Sequence, residues 1–462
     1  MDRTQIDESI DALYRDKKWI VTADIAAGAT TIVDGLKDHG AEKIMVVSGI
    51  EGVGELPKAD RIAYTRSTGD TIMGGFRAFH DSIEQPSESL LNSVDAFDPA
   101  CTARVRGQGF ARQNTLAGRT VYGRRPKSWG DLEDKTTVDA LWRAAGLSIA
   151  PSVVVPLEEA PTASAELGTE LGTVWAADNR DGWHGGGEYT KWVKDPSDVS
   201  STVAWLDGRT TNVRVMPFLD GLPCSIHGFI TNDGVAVFNP VELYILRTLD
   251  SPGFYYARVG NLWEPPASGS KEMRAAVRSV ADVLSREVGY LGSFGIDGVL
   301  TTEGFRPTEL NPRMSVGSGI QWFGSGLPLA DMELMLYEGD MEIDARWLES
   351  VVTGWAKGNR RASFMLPTTS PVTEQTEIGF RFGDGDVTAV DLDEQGEPSE
   401  ETDGTMRIGP SNFGGVALVR LDSDRIERGP STAPLAIPLM ELARDLWDID
   451  LPDCAAAPDV TR

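Results

Sequence analysis

Two carboxylates, an amide and a guanidinium crowd into one short stretch, Gly295 to Gly319, which reads GIDGVLTTEGFRPTELNPRMSVGSG. Ile296 to Leu300 and Phe305 to Asn311 are strand-like runs, and Thr301-Thr302-Glu303-Gly304 supplies a turn with a glycine where a positive φ is needed. Asp297 and Glu309 are equidistant from Glu303, so a hairpin centred there sets them across from each other, with Cα atoms ~4.5–5.5 Å apart. In that register Pro307 pairs with Val299. Asn311 shares the face of Glu309 by the period of two, and Arg313 follows two residues later. Carboxylates this close repel unless a cation lies between them. Hard oxygen donors suit Mg²⁺ that is also bound by substrate phosphates, and Arg313 could meet a phosphoryl group beside it. A surface hairpin with solvated charges satisfies the same spacing.

Elements upstream could bring a substrate to this face. Asp134-Lys135 opens a predicted helix whose apolar positions Val138, Leu141, Trp142 and Ala145 form one stripe before Gly146 ends it, which places Lys135 in the first turn. Thr173 to Ala177 reads as a strand, Asp181-Gly182-Trp183-His184-Gly185-Gly186-Gly187 as a flexible loop, and Glu188 to Val193 as the returning strand. Backbone N–H groups of such a loop can wrap phosphate oxygens because glycine has no Cβ to hold them apart. Val213 to Leu219 reads as a buried strand running into a hinge, with Ser225 to Thr231 as the next strand. Arg247, ahead of the aromatic run Phe254-Tyr255-Tyr256, could neutralise a substrate carboxylate or a transferring phosphate. Lys271 to Val288 is an amphipathic helix with a core stripe, and His227 on its strand reads as structural.

Glu309-Leu310-Asn311-Pro312-Arg313, with Asp297 about a dozen residues upstream, resembles the metal-binding end of the ATP-grasp ligases. The resemblance implies that Asp297, Glu309 and Asn311 hold Mg²⁺. It implies that Lys135, followed by Ala145-Gly146-Leu147-Ser148-Ile149-Ala150-Pro151, binds the ATP phosphates, and that Gly185, Gly186, Gly187 and His184 belong to the loop over them. Phe218 and Leu219 would line the adenine, with Arg313 and Arg247 at the reacting groups. Two positions depart from the family: Ala176 stands where a second phosphate lysine is usual, and Met216 where a glutamate is. Arg180 or His184 is the nearest candidate for the missing charge.

The stretches VYGRRPK, TVWAADNRDGWHGGGEY and MPFLDGLPCSIHG look like the peptide ligases of pheganomycin-type antibiotic biosynthesis. That branch implies an acyl phosphate formed from a guanidine-bearing amino acid, a carboxylic-acid substrate, and captured by the amino terminus of a peptide. Another acid and amine pair, or a nucleotide-binding protein without turnover, would use the same residues.

At 462 residues the chain exceeds one core, and its texture divides it into an N-terminal α/β domain (1–130), an ATP-grasp domain (131–350) and a small β-rich C-terminal domain (351–462), together a mixed α/β (α+β) fold. The loop Gly49 to Gly54 lacks the order of a dinucleotide-binding glycine motif, and the basic run Arg124-Arg125-Pro126-Lys127 reads as a solvated face or an interdomain contact. The formal charge of −27 argues against nucleic acid or anionic membrane as partners. No apolar run is long enough to span a bilayer, and three cysteines without pairing or metal spacing fit a reducing cytoplasm. Oligomeric state leaves no mark on the sequence.

Overall fold

The computed structural model describes residues 3–107, 115–180, 184–250, 252–383, 386–393, 398–399 and 402–458. Asp181, Gly182 and Trp183 of the glycine-rich loop, and parts of the acidic segments around Asp384 and Glu394–Glu401, lie outside the described residues. Three sheets carry the described residues.

The first opens with Lys18–Ile25 and Lys43–Ile50, which pair in parallel with Trp19 opposite Ile44. Both runs are apolar on successive residues because both faces are covered. Trp19 and Val21 pack toward helix Thr30–Asp38, while Ile20 packs with Phe79 and Ile83 of helix Ile72–Glu84. Strands Arg61–Tyr64, Arg104–Arg106, Arg119–Tyr122 and Thr115–Leu116 complete it. Its Trp19 side is not closed by this layer alone: Met332 and Met335 of helix Leu329–Glu338 share the same core. Asp331 on that helix accepts from Tyr14 Oη at 2.6 Å and from Arg106 Nη2 at 2.7 Å. The basic run beyond it is not a solvated face throughout, since Arg125 is buried.

A four-stranded antiparallel sheet follows, in the order Val153–Pro156, Asn212–Pro217, Thr173–Ala177, Thr190–Val193. Trp175, Ala177, Val213 and Val215 point into a core with helices Ala160–Leu167 and Pro196–Leu206. Strand alternation therefore turns Ala176, Arg214 and Met216 to the other face.

The third and longest sheet runs Gly304–Asn311, Gly292–Thr301, Leu222–Thr231, Val241–Thr248, Phe254–Gly260, and then without a break into Ala362–Thr368, Gly415–Leu421, Gly404–Pro410, Thr376–Gly383 and Asp386–Val390. Helix Ala267–Val288 covers one face through Met273, Val277, Val280 and Leu284, packed on Ile226, Phe294, Ile296 and Leu310. These are the alternate positions of the three strands, so the polar partners in between are all aimed the opposite way. At the far end, helix Ala436–Trp447 caps a separate core with Phe364, Phe380 and Val419, which also takes in Tyr244 and Ala257 from the middle strands. Among the described residues no helix is long and apolar enough to cross a membrane.

Candidate active site

The hairpin brings Asp297 opposite Glu309 and Gly295 opposite Asn311. It reaches this pairing by another route than the one expected. The turn has only two central residues, Thr302 and Glu303, so Thr301 meets Gly304 and Pro307 meets Gly298 instead of Val299. An extra residue, Thr308, then bulges between Pro307 and Glu309 and restores the carboxylate pairing. Thr308 is held by its own hydroxyl, which donates to Asp297 O at 3.2 Å, and by its carbonyl, which accepts from Arg214 Nη1 at 3.3 Å.

One polar face results, two rows deep: Ser225, Asp297 and Glu309 in the first row, His227, Gly295 and Asn311 in the second. Asn311 Nδ2 donates to Asp297 Oδ2 at 2.8 Å, and Asn311 Oδ1 accepts from Arg313 Nη2 at 3.2 Å. Arg313 is fixed from behind by Glu133, whose Oε1 accepts from Nε at 3.0 Å and Nη2 at 2.8 Å. Lys135 Nζ lies 3.0 Å from Glu309 Oε1. Burial, together with the Glu309 charge, raises the Asp297 carboxyl to about 6, partly offset by the Ser225 hydroxyl, the Asn311 amide and Arg313.

His227 sits under this face, 1% exposed, with Nε2 3.2 Å from Ser225 Oγ and 3.0 Å from Ser315 Oγ. A Cβ on Gly295 or Gly317 would lie 2.9 Å from His227 Cδ2 or 2.5 Å from Cε1, so the imidazole fills the space those two glycines leave. Its burial drives the ring's pKa down to about 3 and keeps it neutral.

The nucleotide-side residues divide. Lys135 reaches the carboxylates, but not from a helical first turn: the helix begins at Val138. Asp134 instead closes an Asx turn, accepting from Thr136 N at 2.8 Å, because the run Asp-Lys-Thr-Thr satisfies its own backbone groups locally. His184 feels the charges of both Lys135 and Glu309, yet it does not supply a cation. It is 1% exposed, its Nε2 lies 3.0 Å from Asp178 O, and burial lowers its pKa, so the ring stays neutral. Arg180 donates to Thr210 O at 3.2 Å. Gly186 and Gly187 adopt φ of +58° and +76°, and the chain after Gly185 returns as a strand only from Thr190. Glu188, expected in that strand, turns away to Arg77 at 2.8 Å and Thr71 at 2.6 Å, tying the loop to helix Ile72–Glu84.

Arg247 lies elsewhere than expected. It pairs with Asp220 at 2.7 Å and stacks 4.8 Å over the Phe218 ring, at the hinge beside Leu219. Val241, in line with Ser225 and Asp297, is six residues earlier in the same strand, ~20 Å of extended chain. Phe218 also stacks on Trp192 at 4.5 Å and parallel to Phe254 at 6.2 Å, making a flat aromatic wall at the hinge.

Sequence reasoning missed Arg214. It is 2% exposed, directly opposite Ala176, and paired with Asp139 at 2.6 Å. The signal was present as a charged residue inside an apolar strand run, VRVMPF. Glu133 carried no such signal.

The backbone as a whole resembles that of known proteins. No family model and no curated protein matches the sequence. Solved structures with a similar backbone include an L-amino acid ligase from Bacillus licheniformis (TM-score 0.52, 12% identity, 95% of this chain and 100% of that one). A biotin carboxylase domain of a single-chain bacterial carboxylase is also similar (TM-score 0.51, 15% identity, 95% and 91%). The chain has the ATP-grasp fold. Part of a longer protein, pyruvate carboxylase from Rhizobium etli, is similar in backbone as well (TM-score 0.54, 14% identity, 96% of this chain and 38% of that one). The face bearing Asp297 and Glu309 belongs to the long sheet, and Lys135 reaches Glu309 on it from just before helix Val138–Ala144.

Proposed function

We propose that the protein is an ATP-dependent, ADP-forming carboxylate–amine ligase, and more narrowly a peptide ligase that joins a guanidine-bearing amino acid to the amino terminus of a peptide. The observation that carries the reading is the polar face itself: Asp297 directly opposite Glu309, Asn311 bonded to the first, Lys135 to the second, and Arg313 one step beyond.

The donor set fits Mg²⁺. Two hard carboxylates are held against their repulsion, with an amide beside them, and the ammonium of Lys135 already serves as a counter-charge on Glu309. Asp297, Glu309 and Asn311 would hold the ion, which supplies charge neutralisation between phosphate oxygens. Lys135, relieved of Glu309, turns its ammonium to the nucleotide phosphates. The hinge wall of Phe218 and Trp192 packs the adenine, with main-chain atoms next to Leu219 reading its edge. Arg313, braced by Glu133, orients the carboxylate that takes the γ-phosphoryl group. The acyl phosphate is then attacked by an amine, releasing phosphate. The loop through Gly185–Gly187 keeps water from the intermediate.

The test is ADP release from MgATP with paired acids and amines, guanidino amino acids with short peptides first. Glu309→Gln should lose most turnover, by about 10²-fold or more, with its circular dichroism and melting unchanged. ADP release with other acids but none with guanidino amino acids would discard the narrower reading alone. Near-normal release by Glu309→Gln would discard the site.

A further inference from the structure

Several buried and half-buried guanidinium groups of this acidic chain are matched to carboxylates: Arg106 to Asp331, Arg119 to Asp98, Arg214 to Asp139, Arg313 to Glu133. Arg258 is not matched in this way. It is half-buried and its side chain makes no hydrogen bond or ion pair among the described residues, in a chain with 70 acidic residues against 43 lysines and arginines. Its backbone φ is +94°, which a residue with a Cβ rarely adopts.

The cause is a bulge. Between Val241–Thr248 and Phe254–Gly260 the register passes from Ile245–Tyr256 to Leu243–Val259, leaving Ala257 and Arg258 to share Tyr244. Ala257 follows Tyr244 into the C-terminal core, and so do Phe364 and Val419, the residues in line with Arg258. Arg258 alone is turned out of it, as bulges re-aim a side chain. Out of that core lies the sheet's other face, where its neighbour Val259 packs with Leu243 and Val241 in line with Ser225 and Asp297; the charges of Arg258, Asp297 and Arg313 all act on the Tyr256 hydroxyl. Arg420, on the strand next but one, adds a second positive charge that Arg258 feels, and it is exposed. An apolar strip of Leu243, Ile245, Val259 and Ile320 runs along the sheet between these arginines and the carboxylate row. Arg420 lies in line with Val259 through Ser363, so two like charges, one of them on a strained backbone, act on each other with no acid paired to either among the described residues; a bound anion would relieve that arrangement.

We propose that Arg258 and Arg420 form an anion subsite for a substrate carboxylate other than the one that is phosphorylated, the C-terminal carboxylate of an amine-donating amino acid or short peptide. The assignment of the anion to an amine donor rests on the ligase reading, so two measurements separate the failures. Sodium sulfate serves as an oxyanion probe against sodium chloride at equal ionic strength, on protein saturated with MgADP. The wild type should show a saturable rise in melting temperature that Arg258→Met and Arg420→Met lose and Arg258→Lys partly keeps, all three retaining MgADP affinity. No saturable effect in the wild type, or an undiminished one in Arg258→Met, overturns the subsite. In ADP-release assays, dipeptide donors with a free C-terminus should have KM values about tenfold below those of their C-terminal amides. Arg258→Met should erase that preference while leaving kcat within about twofold; an equal loss for acid and amide donors would overturn the role. No turnover with any pair, alongside a positive sulfate result, would refute the ligase reading and leave the anion subsite in place.

Discussion

Asp297 and His227 lie on adjacent rows of one face and pull stability in opposite directions with pH. The Asp297 carboxyl rises from an ordinary 3.8 to about 6, so between those values the native state holds a proton the unfolded chain has released, and stability falls as pH rises through that window. His227 drops from 6.5 to about 3, so there the unfolded chain holds the extra proton and stability rises with pH. Asp297→Asn should therefore stabilise the metal-free protein at pH 8, on the order of 1–2 kcal/mol after allowing for its partial exposure, with the gain shrinking toward pH 4. Urea melts across pH show this directly, and the same variant should lose magnesium-linked nucleotide affinity. His227→Asn should flatten the acid limb of the stability curve; an unchanged slope between pH 3 and 6.5 would contradict a buried neutral ring. The pairing of Asp297 with Glu309 was legible from spacing, whereas the bulge at Thr308 that produces it was not. A two-residue turn and a bulge give the same sum as the wider turn inferred, and the bulge is held by Asp297 O across the hairpin and by Arg214, remote in sequence.

At the scale of elements, strands were read within a few residues because apolar alternation is a local signal. The first helical turn at Lys135 was misread because an Asx turn uses the same Asp and Thr residues that cap helices. The glycine-rich loop is where local chemistry should matter most. Gly187 has φ of +76° and open space around the position of a Cβ, so a substitution there meets only backbone strain. Gly187→Ala should cost about 1 kcal/mol in the loop and raise the KM for MgATP several-fold, and Gly187→Asn, which tolerates the left-handed region, should cost less. Steady-state ATP titrations of the two variants decide it; an equal penalty would mean that bulk, not φ, is what the loop excludes. Arg247 was misplaced for a related reason, since an arginine after an apolar strand gives no hint whether it turns to a phosphate or to an aromatic ring at the hinge.

Across the whole molecule, a charge of −27 is self-repulsive, and salt should relieve it. Melting temperature is expected to climb by several degrees between low ionic strength and ~1 M NaCl; a flat response would show that the charges are already compensated locally. Composition made this readable, and texture marked a change near Gly358, yet neither could show that Phe254–Gly260 pairs with Ala362–Thr368 through Arg258 and Phe364. Such pairing depends on hydrogen bonds between segments some hundred residues apart, which no local pattern reports. That junction makes the last quarter of the chain structurally inseparable from the rest. Cutting after Gly358 would strip Phe254–Gly260 of its neighbour, leaving a raw ladder of unpaired amides beside uncovered tyrosine and leucine side chains, and the truncated protein should precipitate or pair with itself instead of surviving as a trimmed monomer.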